Sequence, residues 1–372
     1  MRRALLCVAL LVVAGCRRDE NTIIVGEFGS MTGSEATFGQ LTHNGVKLAV
    51  EEFNAAGGFN GKKVVLKAYD TQGRAQEAGT AVTRLITDDK AIAVIGENAS
   101  GLSIAGGRVA QRYGVPLISP SSTNPQVTQL GDMIFRVCFI DTFQGYVIAR
   151  FTREHLELDR VAVLYDQALP YSTGLRDDFR REFTKRGGTI LAEQAYTGGD
   201  QDFNAQLLTI READPQAVFV PGYYTDAGNV LVQARKLGLK MPFLGGDGWE
   251  SPQLAKIAGP AADGSYFAAH YSPEDERAET KAFVARFREV YGMLPDSTAA
   301  LGYDSARLLF DALGRAGTTE GKPLAAAIAA TRDFRGVTGT FSIDAERNAR
   351  KPAVILTMKD GEPRFVTSVP PR

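Results

Sequence analysis

From Thr22 onward, short apolar runs alternate with amphipathic stretches long enough to be helices. "TIIVGEF" leads into a helical pattern over 40–55, "KVVLKAYD" into 75–87, and "AIAVIG" into 103–112, which ends at "VPLIS". Strand-length runs separated by helix-length amphipathic segments predict βαβ units and a parallel sheet covered on both faces. A second series of the same design follows: helix 142–156, "RVAVLYD", helix 173–186, "TILAEQAY", helix 203–212, "QAVFVPG", helix 226–237, "MPFLGGD" and a short helix over 251–257. No repeat at a fixed short period accompanies the two series.

After "GSYFAAHYSPED" the pattern changes to long helices over 276–291 and 297–314, a helix near 323–330, and two strand-like runs, "GTFSI" and "AVILTMKDG". Helices without intervening strands predict a return to cover the first sheet rather than a third core. The expected fold class is α/β, with two lobes that are each a doubly wound, mostly parallel sheet flanked by helices. One lobe takes 22–140 plus 271–345 and the other 141–270 plus 346–372. Three crossings, near residues 140, 271 and 345, would make a three-strand hinge, because no Ser/Gly-rich spacer marks a loose linker.

The N-terminus adds a destination. Met1-Arg2-Arg3, an apolar run from Ala4 to Ala14, then Gly15-Cys16 and "RRDE" form a secretory signal too short to span a bilayer. "VAGC" resembles a bacterial lipobox, which implies a signal peptide over 1–15, lipidation at Cys16 and a tether over 16–21. The alternative is an ordinary cut near Ala14. The lipid anchor predicts a periplasmic position or the outer face of a bacterial membrane, with no spanning helix. Of three cysteines, Cys138 alone would then stay free, and its β-like surroundings "MIFRVCFID" predict a buried structural thiol.

Composition narrows the chemistry. Forty-two basic and 43 acidic side chains are interspersed along the chain, so no basic stripe offers itself to nucleic acid. The three histidines, His43, His155 and His270, are widely spaced without HExxH or a Cys/His cluster, and no metal or cofactor is expected. No nucleophile elbow, dinucleotide fingerprint or Walker A loop sits at a strand–helix turn, which argues against an enzyme. Doubly wound sheets bind ligands beyond the carboxyl ends of their strands. The informative segments are therefore "GEFGSMTG", "IGENASG", "ISPSSTNP", "YDQALPYSTG", "PGYYTDAG" and "GGDGW".

In this order and spacing, "VGEFGSMTGSEATFG", "FNAAGGFNGKKVVLKAYD", "ISPSSTNPQVT", "FRVCFIDTFQG", "VAVLYDQALPYSTG", "QARKLGL" and "FLGGDGW" resemble the branched-chain amino-acid binding proteins that serve ABC importers. The resemblance covers nearly the whole mature chain. It implies a type I, Venus-flytrap periplasmic binding protein, a monomer that closes over a free amino acid and delivers it to permease subunits. A sensor that presents its closed form to a membrane signalling receptor is the alternative output.

By position, Ser100 and Thr123 match the hydroxyls that hold the ligand carboxylate, and Ser121 the residue whose carbonyl accepts from the ammonium. Asp247 matches the acidic position facing that ammonium, one methylene shorter than Glu. Tyr171 and Tyr223 match second-lobe aromatics that close over the ligand, and Phe38 matches a position lining its side chain. A zwitterion in a closed cleft requires such donors in place of water. Each residue also has a plainer reading: helix caps for the hydroxyls, a core staple for Phe38. Ser122 and Asn124 are expected to cap or turn the loop, Tyr224 to face outward, and Ser251 to cap the short helix. No motif assigns Trp249, which could close the side-chain pocket. Some relatives staple the loops near Gly73 and Ala99 with a disulfide, and here neither is Cys.

Overall fold

The computed structural model describes residues 21–371; the expected signal peptide, Cys16 and the expected tether over 17–20 lie outside the described residues. In the first lobe, β1 (Thr22–Gly29), α1 (Ala36–Ala55), β2 (Lys63–Asp70), α2 (Ala75–Thr87), β3 (Ala93–Ile95), α3 (Ser100–Tyr113), β4 (Leu117–Ser119) and β5 (Ile134–Arg136) follow in sequence. The strands make one sheet in the order β2-β1-β3-β4-β5, with every pair parallel. β3 and β4 are buried along their whole length, so they read as continuous apolar runs without alternation. α2 buries Ala78, Ala81, Val82, Leu85 and Ile86, a stripe at helical spacing, and burying Leu85 alone stabilises by about 1.5–3 kcal/mol.

The second lobe contains α4 (Asp141–Arg150), β6 (Arg160–Asp166), α5 (Pro170–Lys185), β7 (Thr189–Tyr196), α6 (Asn204–Glu212), β8 (Ala217–Val220), α7 (Tyr224–Lys236), β9 (Phe243–Gly245), α8 (Pro252–Ala258) and β10 (Tyr266–Ala269). The chain then returns to the first lobe with α9 (Ala278–Tyr291), α10 (Ser297–Ala316) and α11 (Gly321–Ala329). A small antiparallel sheet follows, of β11 (Phe334–Gly336), β12 (Gly339–Ile343) and β13 (Ala349–Arg350). β14 (Ala353–Lys359) and β15 (Glu362–Val369) finish in the second sheet, whose order is β15-β14-β10-β9-β8-β6-β7. β14 and β15 pair antiparallel on an otherwise parallel sheet.

α10 packs along α1 at backbone distance. A Cβ on Gly45 would stand 2.0 Å from the Ala299 carbonyl oxygen, and one on Gly302 would stand 2.5 Å from that of Thr42. Only glycine lets the two helices approach so closely. The chain passes between the sheets at residues 137–140, 270–277 and 351–352. Four strands escaped the apolar pattern, among them the three-residue β11. β10 is four residues long, β13 is two, and β15 is an exposed edge strand carrying Pro363, whose missing N–H an edge tolerates.

Several helices begin before their apolar periodicity does. α1 starts at Ala36, placing Phe38 in its first turn rather than in a leading loop, and α5 starts at Pro170, which suits the first helical position. Ser251 caps α8 by accepting from Gln253 N at 3.2 Å, as expected. Cys138 is buried and free, and burial pushes its thiol pKa up to about 12. Among the described residues no helix is long and apolar enough to cross a membrane.

Candidate functional site

The strand ends of both sheets meet across a cleft that is shut in this structure. Asn124 Nδ2 donates to the Pro170 carbonyl at 2.8 Å, Thr225 Oγ1 to that of Ser34 at 2.7 Å, and Thr37 N to the Tyr224 hydroxyl at 3.3 Å. Inside lies a small cavity of about 20 Å³. Phe38, Ser100, Ser121, Thr123, Tyr171, Tyr223 and Asp247 all line it.

The first-lobe wall is built on α3 and on the loop after β4. Ser100 opens α3, so its N–H and that of Gly101 lie among the orphan donors of a helix N-terminus. Ser100 Oγ accepts from Asn124 N at 3.3 Å, and Ser121 Oγ accepts from Asn98 Nδ2 at 2.9 Å. Thr123 is 1% exposed; its hydroxyl makes no well-formed hydrogen bond within the protein, although it lies close enough to the buried Asp141 carboxyl to pull that acid's pKa down. A buried hydroxyl without a partner is costly, and this one borders the cavity.

Two buried side chains that motif reading missed hold this wall in shape. Arg136, fully buried, donates to the Ser122 carbonyl at 2.6 Å, the Asn124 carbonyl at 2.9 Å and Thr128 Oγ1 at 3.2 Å, clamping the loop from behind. Glu97 accepts from Ser30 Oγ at 2.6 Å, Thr71 Oγ1 at 3.1 Å and Ala99 N at 2.6 Å. This carboxyl ties together the loops that a disulfide would join. Burial raises its pKa, and the hydrogen bonds pull the other way. Asn124 caps the 3-10 turn over 125–130 by accepting from Gln126 N, and Ser122 Oγ donates to the Glu97 carbonyl at 2.9 Å, so both serve the loop as expected.

The second-lobe wall centres on Asp247. Its Oδ1 accepts from Gln144 Nε2 at 2.7 Å and from the Tyr171 hydroxyl at 2.9 Å, while Oδ2 lies 2.9 Å from His270 Nε2. The Tyr171 hydroxyl in turn accepts from Gly248 N at 3.1 Å. Tyr171 and Tyr223 stack with centroids 5.1 Å apart, and burial raises both phenols far above their ordinary pKa, so they remain neutral. His270 is buried, which lowers its pKa, and it packs on the Phe139 ring at 3.8 Å. Burial, then the charge of Asp247, raises the pKa of nearby Asp141 well above the carboxylate range.

Two expectations fail. Tyr224 does not face outward: it is 2% exposed and meets the Phe38 ring edge-on at 4.9 Å, because closure brings the first turn of α1 onto it. Trp249 does not close the pocket. Its ring is fully buried in the second lobe beneath Gly245, and Nε1 donates to the Val220 carbonyl at 2.9 Å. Gln144, Glu250, His270 and Ser297 went unrecognised as site residues, since they come from the first turn of α4, the turn before α8, the end of β10 and the start of α10, without motif character. Among the described residues no group of three or more His, Cys, Asp or Glu side chains is placed to hold a metal ion.

Comparison with known proteins agrees with the fold. Residues 22–362 match the family model described as "Periplasmic binding protein". A Leu/Ile/Val-binding protein homolog 2 from Brucella abortus is 30% identical over 97% of this chain and 98% of its own length. The leucine binding protein LivK from Thermotoga maritima superposes with a TM-score of 0.91 at 37% identity, covering 94% of this chain and 99% of that one. The substrate binding protein LivJ from Streptococcus pneumoniae, solved with isoleucine, gives 0.90 at 36% identity, covering 94% and 100%.

Proposed function

Because this chain belongs to the periplasmic binding protein family, we propose that it captures an α-amino acid between its lobes and delivers it to an ABC importer. The observation that carries this reading is the polarity of the cavity walls. Donors with little internal competition, the Thr123 hydroxyl and the first N–H groups of α3, form one wall, and an ionisable acid held only by neutral partners forms the other. An α-carboxylate suits the first and an α-ammonium the second.

In this reading Ser100 and Thr123 hold the carboxylate, the Ser121 carbonyl and Asp247 receive the ammonium, and Phe38 borders the side chain. Tyr171 and Tyr223 arrive with lobe closure, and the closed pair of lobe faces docks on the permease. The protein works extracytoplasmically as a monomer, and a lipid on Cys16 keeps it within about 20 Å of the bilayer.

Calorimetric titration against the twenty amino acids tests the proposal. We expect micromolar or tighter binding of at least one, lost when its α-amino group is acetylated. No heat and no thermal shift with any of them would overturn it.

A further inference from the structure

A second polar corner of the cavity forms where the turn after Asp247 meets the start of α10. Glu250, 6% exposed, lines the cavity and accepts from Ser297 N at 2.9 Å through Oε1, while Oε2 has no partner. Beside it, Asp296 accepts from Thr298 Oγ1 at 2.8 Å and Ala299 N at 2.9 Å through Oδ1, and its Oδ2 is also buried without a partner. On the same wall His270 presents a second buried acceptor. With its Nε2–H given to Asp247, Nδ1 carries a lone pair, and it too has no partner.

Behind this corner the Tyr271 hydroxyl is also buried without a partner, within reach of the charges of Glu250 and Asp296, while two nearer groups are engaged. Asn98 Nδ2 bonds Thr42 Oγ1 at 2.9 Å and Ser121 Oγ at 2.9 Å, and the Thr298 hydroxyl is given to Asp296. Of the residues that line the cavity at this corner, Glu250 Oε2 and His270 Nδ1 are the buried side-chain atoms left without a partner, bordered by the apolar faces of Phe38, Tyr171 and Tyr223. We infer that the cavity selects an amino acid whose side chain ends in a hydrogen-bond donor, an N–H or O–H group received by Glu250, over the branched aliphatic side chains. This rests on the amino-acid reading above.

A leucine or valine side chain would cover Glu250 Oε2 without bonding it, and sites built to bond a polar group reject ligands that lack one. Burial, then the charge of Asp296, pushes the Glu250 carboxyl up to about 8, so at pH 7 the protonated form predominates, which can donate as well as accept, with the carboxylate as the minor state. An amide or hydroxyl side chain suits either state, and an ammonium suits the carboxylate.

The test is calorimetric titration of the full protein at pH 7 with L-glutamine, L-threonine and L-lysine against L-leucine, L-isoleucine and L-valine. At least one polar ligand is expected to bind tenfold or more tightly than every aliphatic one, and which of the three leads identifies amide, hydroxyl or ammonium. Glu250→Leu should reverse that order. Glu250→Gln, which keeps the volume if the leucine variant fails to fold, should weaken the leading polar ligand while leaving leucine within about threefold. Tighter binding of the aliphatic ligands by the unmodified protein would overturn the inference while leaving the amino-acid reading standing. An equal change for every ligand in both variants would remove Glu250 from selection, and silence with all twenty amino acids would end both readings.

Discussion

Asp247 Oδ2 lies 2.9 Å from Nε2 of His270, whose ring is 3% exposed. Because burial keeps the imidazole neutral, this contact is a hydrogen bond and not an ion pair. Gln144 and Tyr171, both neutral, occupy the other oxygen. Among the described residues Asp247 therefore meets no formal cation, and its charge is available to one brought by a ligand.

Removing that charge while keeping the shape should be costly to binding and mild for folding. Asp247→Asn is expected to weaken the best amino-acid ligand more than tenfold, above 1.4 kcal/mol, in calorimetric titration. Its melting temperature without ligand should stay the same or rise, since a buried charge without a cation is lost. Unchanged affinity would take Asp247 out of the binding site.

Thr123 offers the complementary experiment on the opposite wall. Its hydroxyl makes no well-formed hydrogen bond within the protein and only touches on the buried Asp141 carboxyl, so Thr123→Ala should leave ligand-free stability nearly unchanged. Affinity should fall at least tenfold, and Thr123→Ser should restore most of it. A variant that loses stability instead would assign the hydroxyl to the loop.

How much of this site could be read from the chain follows from where its parts lie. Ser100, Ser121 and Thr123 follow β3 and β4, where the doubly wound design places a ligand, so the pattern pointed to these loops and the resemblance to branched-chain amino-acid binding proteins picked these residues out within them. Arg136 lies in a β-like run, and nothing about one arginine there announces that it will be fully buried behind a loop 8 to 14 residues upstream. Glu250 and Ser297 meet only because the chain returns to the first lobe and the lobes then close. Helix starts were legible to within a few residues. Tyr224 and Trp249 were misplaced because neighbouring aromatics divide between cleft and core by tertiary packing, which a period cannot reveal.

Arg136 is itself a test of how the loop holds its shape. Arg136→Met removes donors from the Ser122 and Asn124 carbonyls and from Thr128 Oγ1, leaving buried acceptors bare. Each such loss costs about 1–3 kcal/mol, so we expect a destabilisation of roughly 2–5 kcal/mol in chemical denaturation. Because Thr123 lies inside the clamped segment, affinity should fall as well although Arg136 does not line the cavity. Lost stability with unchanged affinity would show that the segment holds its binding shape without the clamp.

The acidic corner at α10 should also set a pH dependence of folding, and its sign follows from the direction of two shifts. Glu250 moves from an ordinary 4.5 up to about 8, and Asp296 from 3.8 up to about 6, both chiefly through burial. Between the two values the folded state binds more protons than the unfolded state, so stability falls as pH rises. The contribution of Glu250 is fully present below pH 4.5 and is lost as pH climbs through about 8. His270, whose pKa is lowered, acts in the opposite sense, adding stability as pH rises through the histidine range. The Glu250 effect is therefore isolated by comparing variants. Without ligand, the melting temperature of Glu250→Gln relative to the unmodified protein should rise by several degrees between pH 5 and pH 8. Parallel curves over that range would mean that Glu250 titrates as an ordinary carboxyl, and that the cavity wall it shares with Ser297 is open to water.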